Sequence, residues 1–136
     1  VFQYKSLLKK IVLAGLTMIV LDSIWLGFIA NQFYLNELKH LIRGDGTAFD
    51  VNYVAAGCVY VVMVTGFMCF LDPYLSKWTW RQTILKSALF GFVVYGIYDL
   101  TNLATLRDWP VSVTILDMTW GSFLYACSAS VVKWVE

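Results

Sequence analysis

Apolar residues fall into four long runs, at residues 11–31, 52–71, 83–106 and 111–134. Each is close to the ~20 residues that a helix needs to cross a bilayer. The pattern predicts an all-α integral membrane protein, a four-helix bundle forming a single transmembrane domain over residues 1–136. Residues 1–10 form a short basic leader with Lys5, Lys9 and Lys10. The first run is long, contains Asp22 and lacks a small-residue cleavage motif, so it reads as a permanent span and not a signal sequence. In the connection 32–51, Tyr34, Leu38, Leu41 and Ile42 share one helical face, with Glu37, Lys39 and Arg43 elsewhere. That spacing suits a short interfacial helix ended by Gly44-Asp45-Gly46, and an ordinary soluble connector is the alternative. Asp72-Pro73 ends the second run, whose Tyr53, Gly57, Tyr60, Val64 and Phe67 line one face. The loop from Ser76 to Arg81 sets Trp78 and Trp80 beside two cations, as at a headgroup interface. The link Arg107-Asp108-Trp109-Pro110 is so short that the third and fourth helices must be antiparallel neighbours.

Polar side chains inside these runs carry the candidate chemistry. The stretch from Tyr95 to Thr105 places Tyr95, Asp99 and Asn102 at i, i+4 and i+7, on one helical face. Asp22 and Asp117 are carboxylates in two other runs. Helical rise puts Asp22 roughly 13 Å, and Tyr60, Asp99 and Asp117 roughly 9–12 Å, from the same ends of their spans. If those faces turn inward, the four form one polar layer, framed by Trp25, Tyr95, Asn102 and Trp120. Leu21-Asp22-x-x-Trp25 and Leu116-Asp117-x-x-Trp120 echo each other, a short pattern and weak evidence of a repeat. Ser23, Gly27, Asn31 and Tyr34 make a second, small-or-polar line suited to close helix contact.

No lysine or arginine lies at the depth of this layer. Three ionised carboxylates together would repel strongly, so a proton, a bound cation, or Arg107 or Arg43 reaching down must answer their charge. Helix-orienting hydrogen bonds average only ~0.6 kcal/mol in membranes, and Asn or Ser would supply them more cheaply. Three aspartates therefore favour a functional site over a scaffold.

Composition agrees with the pattern. The chain of 136 residues is 60% hydrophobic and 14% charged, with mean hydropathy +0.68. A net charge of +1 gives no bulk attraction to nucleic acid. Cys58, Cys69 and Cys127 lack metal or redox spacing, and no metal or cofactor motif is present. His40, the single histidine, lies in a connection and reads as a solvated residue. Lys5, Lys9, Lys10, Lys77, Arg81, Lys86 and Lys133 fall on one side of the bundle, against Lys39, Arg43 and Arg107 on the other. The positive-inside rule places both termini in the cytoplasm.

Tyr98-Asp99-Leu100-Thr101-Asn102-Leu103-Ala104-Thr105, then Trp109-Pro110 and Asp117-x-x-Trp120-Gly121, resembles a family of small bacterial membrane proteins, domain-of-unknown-function family 2177. Asp22-x-x-Trp25-Leu26-Gly27 and Phe33-Tyr34 match its pattern too, so the resemblance covers nearly the whole chain. It implies a four-span protein of the bacterial inner membrane and brings no established activity. The residues themselves favour binding of a lipid or isoprenoid-like molecule by Asp22, Trp25, Tyr60, Tyr95, Asp99, Asn102, Asp117 and Trp120. A lipid-modifying enzyme with a protonatable aspartate ranks second, and a proton- or cation-coupled carrier third. A carrier of this size would need a homodimer or a membrane partner. Membrane lipids are the other partners expected.

Overall fold

The fold was analysed in a computed structural model that describes residues 2–135. The first residue of the basic leader lies outside them. The elements are α1 (Phe2–Ile24), a π-helical stretch (Trp25–Ile29), α2 (Asn31–Leu38), α3 (Tyr53–Phe70), α4 (Asp72–Leu75), α5 (Trp80–Thr105) and α6 (Val111–Trp134). Among the described residues there is no strand. Four stretches are long and apolar enough to cross a membrane: Tyr4–Ile29, Tyr53–Leu75, Trp80–Thr105 and Val111–Trp134.

Local chemistry explains the boundaries. α1 takes in the described part of the basic leader. α5 starts at Trp80, upstream of the apolar run, because Thr79 and Gln82 form a capping box. Thr79 Oγ1 accepts from Gln82 N at 3.2 Å, and Gln82 Oε1 accepts from Thr79 N at 3.0 Å. Trp80 and Arg81 are therefore helical and not loop residues. Asn52 caps α3 by accepting from Ala55 N at 3.1 Å. After the break at Leu71, Pro73 fits the first turn of the short α4. Lys133 Nζ donates to the backbone oxygens of Leu75 and Trp78, which answers carbonyls left over at the end of α4. Lys10 pairs with Asp72 at 3.0 Å, tying α1 to the same corner.

The π-helical stretch redirects the chain. Ala30 N donates five residues back to Trp25 O at 2.7 Å, and Asn31 Nδ2 donates to Leu26 O at 2.9 Å. The extra residue per turn ends the straight run of α1, and the backbone turns at Ala30 into α2. α2 then buries Tyr34 and Leu35, and Tyr34 packs with Ala30 and Val113 at the start of α6. Helical hydrogen bonding fades at Ile42, where Leu41 N and Ile42 N both donate to Leu38 O. Gly44 and Gly46 follow with φ of +85° and +79°, which suits glycine.

The closest helix contact joins α5 to α6. A Cβ on Gly91 would stand 2.0 Å from Gly121 O, and one on Gly121 would stand 2.3 Å from the Tyr95 ring. Small residues allow such contact where lipid supplies no hydrophobic drive. The line Ser23, Gly27, Asn31, Tyr34 does not do this job. Ser23 and Gly27 are exposed, a Cβ on Gly27 would meet nothing within 4 Å, and the π stretch breaks the line's register. The core gathers Ala14 and Met18 of α1, Met63 and Phe67 of α3, and Leu124, Tyr125, Ala129 and Val132 of α6. α3 turns inward only from Tyr60 onward. Tyr53, near its start, is 83% exposed and Gly57 faces open space, so the first turns of α3 stand off the bundle.

Gly91→Ala and Gly121→Ala should each destabilise the fold by about 1–3 kcal/mol through overpacking. Gly57→Ala, in open space, should be neutral or mildly stabilising. Unfolding in mixed micelles with increasing dodecyl sulfate measures all three. Equal stability across the set would contradict the α5–α6 contact.

Candidate functional site

Seven of the eight predicted site residues meet where the π-helical stretch, α2 and the chain before α6 close one end of the bundle. Asp22 is buried and accepts two bonds. Tyr60 Oη donates to Oδ2 at 2.9 Å, and Trp120 Nε1 donates to Oδ1 at 2.7 Å. Asp117 Oδ1 accepts from Tyr34 Oη, and Tyr34 Oη accepts from Trp25 Nε1 at 3.3 Å. Trp25 and Trp120 stack with ring centroids 4.4 Å apart and planes inclined by 6°. The Leu-Asp-x-x-Trp echo thus acquires a crossed arrangement. The indole of α6 serves the aspartate of α1, and the indole after α1 serves the aspartate of α6 through Tyr34.

Asp99 differs from both. It is fully buried, and neither carboxyl oxygen meets an N–H or O–H donor among the described residues. Its neighbour is the carboxyl group of Asp117, within hydrogen-bonding reach. Two carboxylates cannot bond to each other, so this contact is a hydrogen bond only with one proton between them. Asp117 thus has Tyr34 as a donor on one oxygen and the Asp99 carboxyl beside it, a pair that a single proton can bridge. Burial, then the adjacent Asp117, holds the Tyr34 phenol well above its ordinary pKa, so Tyr34 remains a donor at physiological pH. Among the described residues no lysine or arginine pairs with the three aspartates. Arg43 and Arg107 are exposed and pair with none of them. Lys86 covers the Trp78 ring at 4.6 Å, and Lys133 is held by the carbonyls of Leu75 and Trp78, both away from this layer.

A cavity of about 340 Å³ opens beside the network. Asp22, Asp117, Tyr34 and Tyr60 supply its polar groups. Trp25, Tyr95, Tyr98, Trp109 and Trp120 supply aromatic walls. Leu26, Phe49 and Val59 line it while remaining exposed, and so mark its mouth beside the outstanding turns of α3. Asp99 lies behind the wall, and Asn102 is half-buried, beside Tyr98 and outside the lining. The frame expected of Asn102 comes from Tyr98 and Trp109 instead, whose rings meet edge to face at 5.9 Å.

Sequence reasoning did not name Tyr34, Tyr98 or Trp109 as site residues. Tyr98 adjoins Asp99 in the most polar stretch, and Tyr34 stands out on the small-or-polar line. Trp109 carried only its position before Pro110. Its indole is held by donation to Thr114 Oγ1 at 3.1 Å. α2 and the connection after it are fastened to α6 and the link before it. His40 Nε2 meets Asp108 O at 3.2 Å, and Ser112 Oγ donates to Glu37 Oε2 at 2.6 Å. His40 is exposed, and this contact joins two connections. Among the described residues, no three His, Cys, Asp or Glu side chains come together as a metal site. The arrangement can accept hydrogen bonds, hold a proton between two carboxyls, and present ring faces to a ligand.

No curated protein and no solved structure matches the chain. A family model described as a predicted membrane protein, DUF2177, matches residues 7–134, which include every residue of the network. The chain therefore belongs to the DUF2177 family and is a multi-pass membrane protein with four apolar helices.

Proposed function

We propose that this protein binds an amphiphile of lipid or isoprenoid type, with its polar head among Asp22, Asp117, Tyr34 and Tyr60. The observation that carries the reading is the cavity. It joins a few convergent polar groups to aromatic walls, and its mouth is formed by exposed apolar residues of helices that face lipid. A head group could dock at the carboxyls while its chain leaves past Leu26 and Val59. Membrane lipids would be its surroundings and its source of ligand. The setting proposed is the bacterial inner membrane, with both termini cytoplasmic and the cavity in the outer half. The lysine and arginine imbalance between the two ends supports that orientation.

The carboxyl pair also supports a second reading, a proton-coupled carrier in which Asp99 and Asp117 would take up and release a proton in exchange for cargo. Proton movement coupled to uptake in reconstituted vesicles would favour it over simple binding. An enzyme built on this cavity would use an aspartate, or a tyrosine such as Tyr34 or Tyr60, as general acid or base.

Orientation is tested by single cysteines at Gly46 and Ser76, in a chain whose Cys58, Cys69 and Cys127 are replaced. A membrane-impermeant maleimide should reach Gly46→Cys from outside intact cells and Ser76→Cys only after permeabilisation. Labelling of both from one side would overturn the topology. Binding is tested by photolabelling with a long-chain diazirine alcohol in maltoside micelles. Label should concentrate on the peptides containing Leu26 and Val59, and Val59→Trp, which narrows the mouth, should cut it several-fold. Labelling spread evenly over the lipid-facing helices, and indifferent to Val59→Trp, would contradict a bound amphiphile.

A further inference from the structure

We propose that the head group taken by this cavity is an organic cation, an amine or quaternary ammonium carried on an apolar chain. This rests on the amphiphile reading above and narrows it to one class of ligand.

Charge balance is the first argument. Asp22 receives two neutral donors, Tyr60 and Trp120, which steady a carboxylate without cancelling its charge. Asp99 and Asp117 set two more carboxyl groups side by side, and one proton shared between them would still leave a charge to be answered. No lysine or arginine among the described residues pairs with any of the three. The site therefore offers acidic groups that a cation can neutralise, and a phosphate head would find no cationic partner there. Asp99 adds an independent sign. It is 0% exposed, its oxygens lack a donor, and it sits directly behind Asp117. The acidic groups are thus more numerous than the hydrogen-bonding framework requires.

The walls make the second argument. Trp25, Tyr95, Tyr98, Trp109 and Trp120 bring indole and phenol rings around the space that Asp22 and Asp117 border. Ring faces attract cations through their quadrupole, and aromatic cages with acidic groups suit alkylammonium ions. A quaternary ammonium has no N–H to satisfy, so ring faces and nearby carboxylates can replace its hydration. A neutral hydroxyl head would use the lone pairs and leave the charge unanswered. The volume of about 340 Å³ exceeds one trimethylammonium head and leaves room for the first methylenes of a chain.

The test is competition against the diazirine alcohol in maltoside micelles by three probes of equal chain length: decyltrimethylammonium, decanol and decyl phosphate. The ammonium should displace the label at concentrations about tenfold or more below decanol, with decyl phosphate weakest. Asp22→Asn with Asp117→Asn keeps the shape and removes charge, and should erase the preference for ammonium while decanol still competes. Tyr98→Leu, which leaves both carboxylates and their donors in place, should weaken the ammonium more than decanol. Equal competition by ammonium and decanol would overturn the cationic class and leave the amphiphile reading standing. Strongest competition by decyl phosphate would overturn it too. Failure of every probe, with no label at the cavity, would remove both readings together.

Discussion

A carboxyl group enclosed by apolar helices must be answered by donors, by a cation or by a proton. This structure gives Asp22 two donors and Asp117 one, and leaves Asp99 with the Asp117 carboxyl as its neighbour, an arrangement that a proton shared by the two would satisfy. The surrounding elements are arranged to make those answers available. α3 brings Tyr60, α6 brings Trp120, and α2 brings Tyr34 back over the start of α6. The stacked indoles of Trp25 and Trp120 join the two halves into one rigid unit.

Backbone geometry sets the distances within that unit. Contact of Gly91 with Gly121 holds α5 and α6 at their closest approach, and along the same interface Asp99 reaches Asp117. The π-helical stretch does the equivalent work at the other end of the site. Without the turn at Ala30, α1 would run straight on and Tyr34 would not return to Asp117. π-helical turns recur at functional sites, where an extra residue re-aims a side chain at modest cost. The outstanding turns of α3 have the opposite effect, since they leave the space beside the network unfilled.

Much of this was legible in the sequence. Hydropathy marked four spanning helices, and the short link before Pro110 required α5 and α6 to be adjacent. Comparing depths brought Asp22, Tyr60, Asp99 and Asp117 to one level, because helical rise is regular enough to carry that inference over two turns. What escaped depended on irregular backbone or on rotation about a helix axis. Tyr34 enters through a π turn that no periodicity announces. Asn102 shares a helical face with Asp99 in projection, yet sits beside Tyr98 and outside the cavity lining, as Asp99 does. Ser23 and Gly27 looked like a contact line, and the same π turn breaks their register. The start of α5 was readable, since Thr79-x-x-Gln82 is a capping signature, but the tryptophans beside it drew attention to the interface instead.

A proton shared by Asp99 and Asp117 would decide both how Asp99 survives burial and how much charge faces the cavity. Infrared difference spectroscopy of the purified protein at neutral pH observes it directly. A protonated carboxyl band should be present in the wild-type protein and weaker in Asp99→Asn, whose amide can donate to Asp117 in place of a proton. A wild-type spectrum with no protonated carboxyl band at that pH would contradict the account.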